Sequence, residues 1–416
     1  MKNNKYFSII VLLIVSCQST YAWEWSTPAG HVKYQFDGAH YPRNSVYSNL
    51  IGSSSRTHLL DNRWKFSANH LSWDLKVDYQ LQGVHGDRQL LAGIYGNSTS
   101  SAIDDDSRWF DLTHTLSDDE NDLVLHRLDR LNIGHTTEHT VLRFGRQVVS
   151  WGNGLFFNPM DFFNPFDPTA LDKEYKSGDD MLYGQYLFNS GADLQGVWVV
   201  RRDPVDGDVH RDNSSKAFKY HTWINESELD LLVANHFDDD MLGAGLVKSI
   251  GGTVWRGDVV VTRSELDTYT SLVTNLSYSW VWGKTNYSGV LEYFYNGFGL
   301  KGDYNLLDVS TEPDLWQRLV RGELYTTGKH YLAASASIEL TPLLVATPTL
   351  FMNLSDQSAY LQLGSQYSLA QNWQLTAAVN LPIGKEGTEY GGLESGVLNN
   401  TLATDWGLFL QLGFYY

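Results

Sequence analysis

Cysteine is nearly missing from this chain of 416 residues: the one present is Cys17. It lies inside an N-terminal leader pattern, so a mature chain beginning after that leader has no disulfide, iron–sulfur cluster or thiol chemistry. Positive charge is also short. Lys and Arg number 30 against 48 Asp and Glu, a net charge of −18, which excludes nucleic acid as a partner. No apolar run near 18 residues follows the leader, so a membrane-spanning helix is excluded. The 13 histidines are scattered. None falls in a His-Glu-x-x-His, Gly-x-Ser-x-Gly or paired-Cys arrangement, so no motif points to an enzyme.

The leader spans 1–22. Lys2 and Lys5 form its basic region, Phe7 to Val15 its apolar run, and Thr20-Tyr21-Ala22 a small-residue cleavage site that leaves Trp23 first. The run Ile14-Val15-Ser16-Cys17 offers a lipidation box at Cys17 as the alternative. Residues 23–416 are expected to form one domain.

What the chain has in quantity is alternation. In Asp405–Tyr416, the residues Trp406, Leu408, Leu410, Leu412, Phe414 and Tyr416 share one face. A period of two with one wholly apolar, aromatic-ended face suits a strand against lipid. The stretch resembles the last strand of bacterial outer-membrane barrels, which implies that 405–416 is read by the barrel-assembly machinery. Elsewhere Trp73, Leu75, Val77 and Tyr79 alternate with Asp74, Lys76 and Asp78. Likewise Trp373, Leu375 and Val379 alternate with Gln374 and Thr376.

Short connectors at Ser190-Gly191, Gly251-Gly252, Gly283-Lys284, 341–344 and Ala370-Gln371 alternate with long polar ones near 38–62, 96–122, 152–181, 203–216, 297–328 and 383–403. The fold class is therefore all-β. It is an antiparallel transmembrane barrel of about 18 strands, or 16 if the weak strands near 31–37 and 89–95 are not strands. Outer loops are long and periplasmic turns short, and the barrel lies in the outer membrane of a Gram-negative bacterium. Its partners there are lipid and lipopolysaccharide. Acid clusters at Asp104–Asp106, Asp118–Glu120 and Asp238–Asp240 suit at most loosely bound Ca2+, since none has the spacing of a dedicated calcium loop; no other cofactor is expected.

One stretch breaks the alternation. Leu142–Gly154 runs into a segment rich in Phe and broken by Pro159, Pro165 and Pro168. It is too apolar for open water and too interrupted for a strand. The expectation is that 152–181, the third outer loop, folds into the barrel and narrows it. Residues placed at that narrowing are Arg143, Arg146, Gln147, Trp151, Asn158, Asp161, Asn164, Asp167, Glu174, Asp179 and Asp180. On an ideal strand Arg143 and Gln147 face the lumen and Arg146 faces lipid, so a kink at Gly145 is expected to turn both arginines inward.

The run Gly145-Arg-Gln-x-x-x-Trp-Gly152, with Asn-Pro-x-Asp at 158–161 and 164–167, resembles porin-like outer-membrane barrels of unknown function from Gram-negative bacteria. It is more distantly similar to alginate-export-type barrels. Asn153 stands where Glu is common in part of that group. The resemblance implies a porin-like channel for small solutes or an exported compound, and no catalysis. Some such families work beside inner-membrane RND-type exporters. The alternative reading is a non-conducting docking or structural barrel, partner to a periplasmic or RND-type export or lipid-transfer system.

Overall fold

The computed structural model describes residues 23–87, 105–396 and 400–416; the leader and the strand expected near 89–95 lie outside them. The described strands, in chain order, are β1 (Glu24–Trp25), β2 (Ala29–His40), β3 (Ser54–His70), β4 (Trp73–Gly86), β5 (Thr113–Asp118), β6 (Asp122–Thr136), β7 (Thr140–Gln147), β8 (Asp179–Leu187), β9 (Asp193–Val199) and β10 (Ser215–Ile224). They continue as β11 (Ser227–His236), β12 (Asp239–Ile250), β13 (Thr253–Arg263), β14 (Thr268–Trp282), β15 (Thr285–Tyr295), β16 (His330–Thr341), β17 (Leu344–Asn353), β18 (Ser358–Ala370), β19 (Trp373–Ile383) and β20 (Trp406–Tyr415). All but β1 and β5 form one antiparallel ring of eighteen, closed where β2 pairs with β20 from His31↔Tyr415 to His40↔Trp406. No described helix is long and apolar enough to cross a membrane, which says nothing of a ring of strands.

Alternation sorts the two faces as expected. Leu60, Leu231, Leu242, Leu276, Leu291, Leu363 and Val379 stand exposed on the outside. Trp73 pairs with His135 and Trp373 with Phe414 near the turn end, whereas His40 stacks on Trp406 near the other. An apolar band between aromatic rims is the surface that hydrocarbon requires, since a closed ring leaves no strand edge unpaired. Inside, Asp74, Lys76, Asp78 and Gln80 lie along β4.

One end of the ring carries only tight turns, such as 251–252 and 283–284, where Gly251 (φ +61°) and Gly283 (φ +66°) take the left-handed backbone. Leu71 sits in such a turn with φ +52°. The other end carries 41–53, 87–121, 148–178, 200–214, 296–329 and 384–405. The long connector expected at 38–62 shrinks to 41–53, because β2 and β3 extend past the apolar stretches that mark their middles. Three connections at this end, 237–238, 264–267 and 354–357, are short, so the asymmetry is one-sided. The expected 96–122 loop contains β5, which pairs with β6 from Thr113↔Arg127 to Asp118↔Leu123.

That short strand repairs the wall. β7 pairs with β6 only from Leu131↔Arg146 to Thr136↔Val141, because β7 leaves the sheet at Gln147. β5 takes the vacated edge of β6, and Arg108 bridges to Arg201 beyond β9.

Candidate functional site

The site is the lumen and the segment 148–178 between β7 and β8. Its entry is a turn that glycine makes feasible. Gly152 has φ +88°, and a Cβ there would stand 2.1 Å from Oδ1 of Asn158. A Cβ on Gly154 would stand 1.8 Å from the Phe157 carbonyl oxygen. Asn158 closes the turn by donating Nδ2–H to the Trp151 carbonyl at 2.9 Å, and Trp151 donates its indole N–H to Gln195 at 2.7 Å. Pro159 and Pro168 each occupy the second position of a tight turn, with Asp161 N–H donating to Asn158 O and Ala170 N–H to Asp167 O. That is the local meaning of the proline-rich motif.

Two wall carboxylates hold this turn. Glu292 of β15 is fully buried and accepts the backbone N–H groups of Leu155, Phe156 and Phe157 at 2.6, 2.9 and 2.7 Å. Asp258 of β13 accepts the backbone N–H and side-chain amide of Asn153 at 2.6 and 2.7 Å. Asn275 of β14 donates to both the Asn153 carbonyl and Glu292. Charge-assisted bonds of this kind contribute about 1.5–3 kcal/mol each, without simple additivity. Glu292 lies on the inner face of β15, and the motifs of the sequence do not single it out. Its only signal was an acid within an otherwise aromatic stretch, Leu291–Tyr295.

The phenylalanines pack on inner wall residues. Phe157 stacks on Phe294 with centroids 5.0 Å apart, and Phe156 meets Phe351 edge-on at 5.4 Å. Trp151, Met160, Phe162 and Phe163 join Met181, Val197, Leu232, Met241 and Val260 in a second cluster. The inner face is therefore apolar along part of β9–β17, where alternation alone leads one to expect polar residues. The segment then reaches the far wall. Gln362 of β18 donates to the Thr169 carbonyl at 2.9 Å; Lys33 of β2 pairs with Asp172 and Glu174, both at 2.6 Å; Gln411 of β20 donates to Asp172 at 2.9 Å. The Arg63 guanidinium of β3 lies 3.9 Å over the Tyr175 ring. Lys176 brings the segment back on itself, bonding Val149 O at 2.7 Å and pairing with Asp161.

Burial dominates that last pair. It pushes the Asp161 carboxyl up to about 6, only partly offset by Lys176, and holds the Lys176 ammonium below its ordinary value. Asp172 behaves in the opposite way: burial raises it, but the Lys33 charge and hydrogen bond outweigh that and leave it below the usual carboxyl range.

The other sequence-singled residues are found as follows. Asn164, at φ +52°, donates to Asp179 at 3.0 Å, and Asp179 pairs with Arg201 at 2.7 Å. Asp167 accepts from Thr169 N–H and Oγ1–H, both at 2.7 Å. Gln147 is buried and bonds the Met181 carbonyl at 3.3 Å. Arg143 faces Asp74 of β4 at 3.7 Å. Asp179 and Asp180 belong to β8, so the segment spans 148–178 and not 152–181.

Arg146 needs a correction. Gly145 does take a left-handed φ of +116°, but Arg146 is not turned into the lumen. It lies opposite Asp180, and Asp180 stands between Asp179 and Met181, both on the inner side. Arg146 and Asp180 thus share the outer side of the wall, beneath residues 105–112. The Arg146 guanidinium bonds both oxygens of Asp105, both of Asp180, and the Phe110 carbonyl. Rings of Trp109 and Phe110 flank Phe144 beside it. A charge on the lipid side is costly; here a covering segment removes it from lipid.

Two cavities adjoin the segment. One, of about 810 Å³, opens toward the long-loop end and is lined by Asp179, Arg201, Arg202, Phe237, Arg321 and Tyr325 among others. The other, of about 500 Å³, lies near the turn end, between Asp172–Glu174 and the amides of Gln366, Gln374 and Gln411.

Similar folds occur among solved structures. OccAB3 of Acinetobacter baumannii aligns with a TM-score of 0.51 and 10% identity, covering 94% of this chain and 99% of that one. A BenF-like porin from Pseudomonas fluorescens Pf-5 gives 0.52 and 8%, covering 94% and 98%. OpdQ of Pseudomonas aeruginosa gives 0.50 and 8%, covering 94% and 97%. The likeness is one of fold. No family model and no curated protein matches the sequence.

Proposed function

We propose that this chain is a porin-like outer-membrane channel of a Gram-negative bacterium, passing small solutes through a lumen narrowed by residues 148–178. The observation that carries this reading is the reach of that segment. It touches inner-facing residues of β2, β13, β15, β18 and β20, with open cavities of about 810 and 500 Å³ beside it. The BenF-like porin among the solved structures of like fold supports the same reading. The channel has no catalytic role. It sits among lipid and lipopolysaccharide, inserted through its 405–416 strand by the barrel-assembly machinery.

Planar-bilayer recording tests it. The folded chain should give discrete conductance steps, and deletion of 158–168 should enlarge them. A heat-modifiable barrel that never conducts, with or without the deletion, would instead favour a docking partner for a periplasmic or RND-type exporter.

A further inference from the structure

Eight of the histidines sit on the outer parity of their strands, each near an aromatic ring or a carboxylate. Two pairs face each other across neighbouring strands: His114 and His126, with ring centroids 5.5 Å apart, and a second pair in which each Nδ1 has a hydrogen-bond partner. His58 of β3 and His85 of β4 are directly opposite each other across the sheet, with ring centroids 6.2 Å apart and planes 32° from parallel. Both lie on the exterior face: His58 shares it with Leu60, and His85 with Tyr79, while Gln80 between them in parity turns inward to Arg127. They lie at the long-loop end, where β4 finishes at Gly86.

Each ring already has one nitrogen engaged. The His85 Nδ1 is 2.7 Å from Oδ1 of Asp122, and the His58 Nδ1 is 2.7 Å from the Tyr34 hydroxyl. A carboxylate that accepts a hydrogen bond from Nδ1–H holds the proton on that nitrogen and leaves Nε2 with a lone pair, the arrangement that second-shell carboxylates impose on metal-binding imidazoles. The Tyr34 hydroxyl can accept from Nδ1 in the same way. The side chains of His85 and Asp122 are 64% and 53% exposed where the strand ends at the long loops, so the pair is accessible from that rim. Asp87, whose carboxylate takes the Arg56 N–H at 2.9 Å, adds a second acid at this rim. Two acids beside the two rings disfavour an anion, a lipid phosphate included, and favour a cation.

We infer that His58 and His85 form a two-imidazole site for a divalent transition-metal ion of the copper, nickel and zinc class, on the outer rim of the barrel. Imidazole nitrogen bonds such an ion at about 2.0–2.1 Å, which sets two rings on one ion roughly 5 Å apart at a tetrahedral angle. The 6.2 Å spacing closes to that by small side-chain rotations of two half-exposed rings. Among the described residues no group of three His, Cys, Asp or Glu is placed to hold a metal, so water completes the coordination. The site does not depend on whether the barrel conducts.

The test uses the tag-free, full-length folded chain and Cu2+ alone. Electron paramagnetic resonance should show an ion with two imidazole nitrogens in its plane. His58→Asn and His85→Asn should each remove one nitrogen and weaken binding at least tenfold. Asp122→Asn should keep both nitrogens and weaken binding about tenfold, as loss of an outer-shell partner does. Each variant is checked for heat-dependent gel mobility. Unchanged copper stoichiometry and affinity in both folded histidine variants would overturn the inference. A second measurement needs no variant: Zn2+ should slow diethylpyrocarbonate modification of His58 and His85 in the unmodified protein, read peptide by peptide, and equal rates with and without Zn2+ would overturn it as well.

Discussion

Oε1 of Glu292 lies 2.7 Å from the backbone nitrogen of Phe157, across 135 residues of chain. The same carboxylate accepts from Leu155 and Phe156, so one wall residue fixes three consecutive N–H groups of the segment inside the ring. In the proposed channel such a tie holds the segment in place, because its own residues form no regular strand or helix.

Glu292→Ala should therefore free the entry turn without opening the ring. The expected result is a larger and noisier single-channel conductance, with faster amide exchange at 155–157 and normal heat-modifiable migration. Glu292→Gln should fall between the two, since one carboxamide oxygen still accepts but carries no charge.

Asp161 makes the segment sensitive to rising pH. Burial holds its carboxyl proton up to about pH 6, above the ordinary 3.8. Its contribution to stability is full below about 3.8 and is lost as pH rises through about 6. Conductance, or amide exchange over 159–163, should therefore show a transition near pH 6, and Asp161→Asn should flatten it. An unchanged transition in that variant would place the titrating group elsewhere.

Arg146 and Arg143 should separate cleanly. Arg146 is 2% exposed and compensates Asp105 and Asp180. Arg146→Ala leaves both acids without it and should cost about 3–5 kcal/mol, read as a lower unfolding midpoint, with little change in ion selectivity. Arg143 faces the inside more openly, so Arg143→Ala should shift selectivity toward cations with a small stability loss.

The two faces of β19 should tolerate charge differently. Val379 is 38% exposed on the outside at mid-strand, whereas Thr376 lines the inner cavity. Val379→Arg should cost about 2–4 kcal/mol near the bilayer midplane, while Thr376→Arg should fold. Equal folding yields would contradict the assignment.

The ring was legible because lipid imposes one rule on every strand, and Trp73–Leu81 or Trp406–Tyr416 obey it residue by residue. The prolines and glycines of 145–168 marked the segment for a different reason: strands reject them. What alternation does not carry is a partner across the chain. Phe294, Phe351 and Leu232 sit on inner faces because Phe157, Phe156 and Met160 pack there, and nothing local to those strands says so. Glu292 reads like any other lumen-facing acid, such as Asp74. For Arg146, alternation placed the side chain correctly on the outer side, and the inward kink was invoked to avoid lipid; cover by Trp109 and Phe110 resolves the same cost in another way.

The seam between β2 and β20 has a kinetic meaning. Gln35 and Gln411 touch across it at 3.3 Å, 376 residues apart in sequence. Joining ends that far apart costs about 5 kcal/mol in chain entropy on the logarithmic scaling, and no bond at the seam offsets it until nearly the whole register from His31↔Tyr415 to His40↔Trp406 is aligned. Every other ring pairing joins neighbours in sequence order and closes a shorter loop at a lower cost. The seam is therefore the last join to form, and until it does the sheet presents two bare edges at once. A shielded environment during assembly protects those edges more than it protects any other part of the chain.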